Sequence, residues 1–168
     1  STVAICPPVV NLDDGGTYHA SRSQRFLWDS WLDLIDRAAK YKPTLILNGD
    51  LIEGDKKDRS YQVITRNETN LLSIAADVFD PLAQMCGAVY VVRGTMAHVG
   101  KSANLDDAVG RDLGAVPPEK RKGGASSWWS LNLKVEGRRV AIAHHASMGG
   151  QPWTSPDAAR KLAARLQF

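Results

Sequence analysis

One stretch constrains the fold more than any other: Thr44-Leu45-Ile46-Leu47-Asn48-Gly49-Asp50-Leu51-Ile52-Glu53-Gly54-Asp55. A short apolar run bounded by Pro43 and Gly49 predicts a buried strand. Three carboxylates, Asp50, Glu53 and Asp55, follow it at once. In open α/β sheets, ligands sit just beyond the carboxyl ends of strands. Asp50 stands where such a ligand would be, and grouped carboxylates suit a hard or borderline divalent cation. A solvated acidic turn, with Gly49 and Gly54 at positive φ, is the alternative that this stretch alone leaves open.

The chain has 168 residues, enough for one domain with its own core. Its 43% hydrophobic and 23% charged content is that of an ordinary globular protein. A net charge of +3 is too weak by itself to indicate nucleic acid. No apolar run approaches the roughly 20 residues of a membrane span. The opening Ser1-Thr2-Val3-Ala4-Ile5-Cys6-Pro7-Pro8 lacks the basic region of a signal peptide, so a cytoplasmic location and no membrane partner are expected. Cys6 and Cys86 are far apart, without metal spacing, and read as free thiols.

Along the chain, residues 1–20 read as loop, and His19 as a surface histidine. Phe26, Leu27, Trp31, Leu34, Ile35 and Ala38 recur at helical spacing, capped by Ser21 or Ser23 and ending near Tyr41, before Pro43. The strand Thr44 to Asn48 follows. A second helix is predicted from about Thr65 to Met85, its apolar face formed by Leu71, Leu72, Ala75, Val78, Phe79 and Leu82. Pro81 should kink it or start a new turn, and Gly87 close it. Ala88 to Val92 is a second buried strand, which implies a parallel pair. A short helix from Asn104 to Leu113 precedes a Pro/Gly/Ser-rich loop carrying Lys120-Arg121-Lys122. Strands at Ser130 to Val135 and Arg138 to Ala143 then form a hairpin around Glu136-Gly137, and Ser155-Pro156 starts a last helix. The expected fold class is α/β with a mixed sheet and flanking helices.

Three predicted strands end in polar groups: Asp50 with Glu53, Gly94-Thr95 with His98, and His144-His145. Aspartate and histidine on adjacent loops at one sheet edge are ligands for zinc, manganese or iron. A lone histidine is more often structural; a pair directly after a strand, level with an aspartate after another, is harder to dismiss.

At this point the chain resembles the calcineurin-like metallophosphoesterases, and looks closest to phage-encoded members. Gly49-Asp50-Leu51-Ile52-Glu53 fits that family's Gly-Asp-x-x-(Asp/Glu) motif. Arg93-Gly94-Thr95-Met96-Ala97-His98 looks like a divergent Gly-Asn-His-(Asp/Glu) motif, and Ala141-Ile142-Ala143-His144-His145 like the motif of a histidine after a strand. The resemblance covers about residues 21–150. Three features depart from it. No Asp-x-His lies upstream, no Gly-His-x-His lies downstream, and Thr95 stands where the family has an asparagine ligand. The resemblance therefore implies a single metallophosphoesterase-like domain, a sandwich truncated at both ends.

It also implies roles. Asp50 would bridge two divalent metals (Mn, Zn or Fe), and His144, with His145 as second candidate, would be a further ligand. His98 would assist the leaving group as general acid, which makes His98 and Asp50 the catalytic residues. Glu53 and Thr95 would orient ligands, while Arg93 and Lys101 would bind phosphate oxygens or be solvated loop charges. The implied partner is a phosphoester substrate, nucleic acid or nucleotide among them, cleaved by metal-dependent hydrolysis. A different class of function stays open: a non-catalytic nucleic-acid binding or assembly module. For that, Lys120-Arg121-Lys122 beside Trp128-Trp129 resembles a basic loop with a stacking platform.

Overall fold

Residues 5–54, 63–120, 122–144 and 160 are described by the computed structural model, the side chains of Ala97 and Lys101 excepted. The architecture is α/β. A short hairpin, β1 (Val9–Asn11) and β2 (Thr17–His19), leads into α1 (Arg22–Ala39), then β3 (Thr44–Asn48), α2 (Glu68–Ala83) and β4 (Ala88–Val92). A one-turn helix α3 (Met96–Val99) and a 3-10 turn at Lys101–Ala103 run into α4 (Asn104–Asp112). β5 (Leu131–Val135) and β6 (Arg138–Ile142) follow.

β3 and β4 are parallel and level, Thr44 opposite Ala88 and Asn48 opposite Val92. Their apolar side chains bury on α2 and the chain around Ala115, where Leu47, Ala83, Val89 and Val91 form one cluster. Trp128 joins the outer edge of β4 through a parallel bridge, its amide donating to Val91 O and its carbonyl accepting from Arg93 N, both at 2.8 Å. β5 and β6 then pair as a hairpin. Its turn, Glu136-Gly137, has φ of +48° and +81°, the two left-handed residues a tight hairpin requires. The strands thus form three two-stranded sheets among the described residues, the second and third linked by the Trp128 bridge.

The segment expected as loop contains the β1–β2 hairpin. Strands of three residues are too short to show alternation, and the turn is written instead in Asp14-Gly15-Gly16. Gly15 has φ +84°, and Gly16 N donates to Asp14 Oδ1 at 2.8 Å. His19 ends β2 and is exposed.

α1 begins at Ser21 with a reciprocal cap: Gln24 N donates to Ser21 Oγ, and Ser21 N donates to Gln24 Oε1. Its inner stripe is Gln24, Trp28, Trp31 and Ile35, so Trp31 and Ile35 of the expected face lie inside, whereas Phe26 is 71% exposed and Leu34 48%. At 100° per residue Phe26 lies across the helix from Trp28 and Trp31, so a run of apolar residues is split between core and solvent. Buried Gln24 is satisfied by Tyr18 Oη and by the Sγ of buried Cys6. Trp31 Nε1 donates to Val78 O at 2.8 Å and its ring meets Phe79 edge-on.

α2 starts three residues later than expected because Asn67 caps it, accepting from Thr69 N and Asn70 N. Pro81 lies in its last turn, where the helix continues only to Ala83. Phe79 touches all three core clusters: one behind the β3–β4 loops (Ile52, Ala75, Val99, Leu105, Val109), one under α1 (Cys6, Val10, Ile74, Val78) and the β3–β4 cluster. No helix among the described residues is long and apolar enough to cross a membrane. The expected last helix lies outside the described residues, Arg160 excepted.

Candidate functional site

Because β3 and β4 end level, the loops that leave them run side by side. Gly49 (φ +72°) and Asp50 (φ +53°) are both left-handed, which turns the chain sharply at the strand end. Aspartate tolerates that conformation better than most residues, at a cost of about 1 kcal/mol. The contact between loops leaves no room for side chains on the glycines. A Cβ on Gly49 would lie 2.6 Å from Gly94 Cα and 2.8 Å from His144 Nδ1, and one on Gly94 would collide with Asp50 N and Oδ1.

In this contact the Asp50 carboxylate is held from two sides. Thr95 N donates to Oδ1 at 2.6 Å, and Thr95 Oγ1 lies 3.1 and 3.2 Å from the two oxygens. From the hairpin, His144 Nε2 lies 3.0 Å from Asp50 Oδ2. The other ring nitrogen, Nδ1, donates to the carbonyl of Asn48 at 2.5 Å, which fixes the plane of the imidazole. A carbonyl only accepts, so Nδ1 carries a proton. The approach of Nε2 to an ionised carboxylate is then satisfied by a second ring proton or by a cation bound to both groups. Both side chains are about three-quarters buried, at 22% and 25% exposed.

Beneath this edge lies Asp106, fully buried at the start of α4. Its Oδ2 accepts from Gly94 N at 2.7 Å and Asp50 N at 3.3 Å, and its Oδ1 accepts from Leu51 N at 3.1 Å. One carboxylate therefore ties both loops together through their backbone. Burial pushes its pKa above the ordinary value and the charge of Asp50 adds to that, while the three amides work against it. Its neighbour Asp107 accepts from Ser126 N and Ser127 Oγ, both at 2.8 Å, and lies 3.8 Å from the Arg93 guanidinium.

Glu53 and His98 form a second pair, with His98 Nδ1 2.8 Å from Glu53 Oε1. The segment after β3 is bound to α3 here, because Gly54 N donates to His98 O at 2.8 Å and a Cβ on Gly54 would strike that oxygen. Burial acts to raise the Glu53 carboxyl, but the hydrogen bond and charge of His98 are among the contacts that outweigh it, and the group stands below its ordinary value. A cavity of about 310 Å³ opens between Asp50 and Glu53, floored by Ile52, Leu71, Ile74 and Phe79.

The structure thus brings together Asp50, Thr95 and His144, and separately Glu53 and His98. Arg93 turns the other way: its Nε donates to Ser127 Oγ at 3.0 Å and its guanidinium covers the Trp129 ring. His145 and the side chain of Lys101 lie outside the described residues. Among the described residues no group of three or more His, Cys, Asp or Glu side chains is placed to hold a metal ion. Asp50 and His144 fit such an ion in donor chemistry, as two of the four ligands that zinc takes.

Asp106 and Asp107 were not legible as site residues. The available signal is a carboxylate on the apolar stripe of a short helix, Asp106 being flanked by Leu105, Val109 and Gly110, all buried. No family model, curated protein or solved structure matches this chain.

Proposed function

We propose that the chain is a metal-dependent phosphoester hydrolase, a phage-type calcineurin-like metallophosphoesterase whose sheet is that family's mixed sandwich. One observation carries the reading. A carboxylate and an imidazole 94 residues apart meet at 3.0 Å at strand ends, with the second imidazole nitrogen committed to a backbone carbonyl. That arrangement presents two aligned donors to one point.

In this reading Asp50 and His144 hold divalent cations (Mn, Zn or Fe, two when the site is complete), and His145 is the second histidine candidate. When bound, such ions neutralise phosphate charge and activate a water. Thr95 orients the Asp50 carboxylate. His98, with Nδ1 on Glu53, presents Nε2 to the leaving oxygen and donates its proton there as the ester bond breaks. The apolar cavity beside Glu53 suits the flat face of an aryl group or a base. The substrate class is a phosphodiester or monoester, nucleic acid and nucleotides included.

Cleavage of an aryl phosphodiester with Mn2+ or Zn2+ tests this. Turnover that vanishes in Asp50→Asn and in His144→Ala supports it. Turnover that persists in Asp50→Asn defeats it.

One observation favours a second reading, a nucleic-acid binding module that keeps the fold without the chemistry: the exposed Trp129 follows a loop that carries the exposed Lys120 and Lys122. Absence of metal binding in a calorimetric titration would favour that module.

A further inference from the structure

We propose that the groove between Trp129 and the Pro118-Glu119 loop binds single-stranded nucleic acid, with the Trp129 indole as the surface on which a base stacks. The inference rests on the nucleic-acid reading, for which it names the site, and it holds whether or not the Asp50–His144 edge is catalytic. The groove has a volume of about 330 Å³ and is lined by Arg93, Glu119, Ser127, Trp129 and Ser130, among others.

Two adjacent tryptophans have opposite fates here. Trp128 belongs to the fold: its Nε1 donates to Val116 O at 2.8 Å and its ring rests against Tyr90. Trp129 is 59% exposed. One face of its ring is covered by the Arg93 guanidinium, 4.8 Å from the centroid. That guanidinium is itself held by Ser127 Oγ and the Asp107 carboxylate, so it cannot swing away freely. The indole therefore rests one face on a held guanidinium while most of it stays in water. A ring fixed in this way loses little freedom when a flat partner settles on it.

The chemistry of the surroundings selects the partner. A protein partner anchored by tryptophan would want an apolar rim that excludes water. This groove sets Arg93, Glu119, Ser127 and Ser130 among Pro118, Ala125 and the two tryptophans, a mixed lining that stays wet. Glu119 turns phosphates away from the groove floor but suits an N–H donor on the edge of a base, such as N3–H of thymine. Lys120 and Lys122, both exposed on the loop that forms one wall, supply cations for the phosphates outside. An aromatic face beside a cationic rim is how strands without paired bases are held, each stacked base contributing independently of its identity. Arg93 also adjoins the other site. The next two residues, Gly94 and Thr95, donate to Asp106 and Asp50.

The test is a titration of the whole chain with an oligothymidylate of about ten nucleotides, within the range of such sites. It is read by tryptophan quenching and by the anisotropy of a labelled strand. A chelator is present, so no metal-dependent turnover enters the result. The expected outcome is binding with quenching, weakened about tenfold in Trp129→Ala and largely retained in Trp129→Phe. An abasic strand of equal length should bind the native chain as weakly as the oligothymidylate binds Trp129→Ala. Lys120→Ala combined with Lys122→Ala should flatten the salt dependence for both strands. Equal affinity for base-bearing and abasic strands, or a Trp129→Ala variant that binds like the native chain, overturns the proposal. Should that variant lose its fold by circular dichroism, the two strands compared on the native chain decide alone.

Discussion

The backbone amide of Asp50 donates to Asp106 Oδ2 at 3.3 Å, so the carboxylate at the sheet edge is positioned by a carboxylate inside the core. Two negative groups share one loop without sharing a proton donor. The inner one takes the Asp50, Leu51 and Gly94 amides, and the outer one takes the Thr95 amide with His144 beside it.

Asp106→Asn should therefore be more damaging than its volume suggests. The new amide nitrogen cannot accept, so at least one of the Asp50, Leu51 and Gly94 N–H groups is left facing a donor. A loss of roughly 2–3 kcal/mol is expected for a charge-assisted buried bond, read as a lower midpoint in urea unfolding.

The same residue sets a sign in the pH dependence. Its folded value is raised above the ordinary 3.8. Between those two values the folded chain keeps a proton that the unfolded chain has lost. This contribution therefore makes stability fall as pH rises through that window, and Asp106→Asn removes it. Glu53 acts oppositely. Lowered from 4.5, it stabilises the fold above that value and loses the effect as pH falls through its folded value. Urea midpoints across the acid range, for the native chain and for Glu53→Gln, separate the two slopes.

Gly94→Ala should disconnect the loops. The added methyl collides with Asp50 N and Oδ1, both part of rigid contacts. A cost of about 1–3 kcal/mol is expected from overpacking, along with loss of the Thr95–Asp50 hydrogen bond, visible as a shifted Thr95 amide resonance.

His98→Ala should slow cleavage of a phosphodiester with an alkyl leaving group more than one with an aryl leaving group. A poor leaving group needs the proton, and general acids contribute about 10²–10⁴-fold. Equal slowing of both substrates would assign His98 a structural part through Glu53 instead.

Phe79→Ala is expected to cost about 3 kcal/mol, the low end for deleting a large aromatic, because the residue is half-buried yet joins three clusters. A thermal melt or urea titration measures it.

Much of the frame was legible because burial leaves a local mark. Thr44 to Asn48 and Ala88 to Val92 are apolar runs cut by glycine or arginine, and both are strands over those residues. The Glu136-Gly137 hairpin is marked by its turn, with β5 starting one residue later than expected at Leu131 and β6 ending one earlier at Ile142. Asp50 and His144 were placed at strand ends, and the structure brings them into contact. Phe26 shows the limit: its spacing suits a buried face, but only packing against Val78 and Phe79 decides which side of α1 is inside. Asp106 shows a second one. A carboxylate in a helix's first turn ordinarily reads as solvated and favourable to the dipole, and its partners are amides 12 to 56 residues away.

The hairpin turn has a consequence for how the Asp50–His144 contact could be lost or retuned. Ile142 lies opposite Leu131, and His144 follows two residues beyond. Adding one residue at Glu136-Gly137 would slide β6 by about 3.3 Å and exchange the faces on which its side chains stand. Ala143 would then come level with the position that His144 now takes beside Asp50. The contact is thus gauged by loop length as well as by residue identity. A single-codon insertion in an exposed turn would dismantle it while every site residue stayed intact.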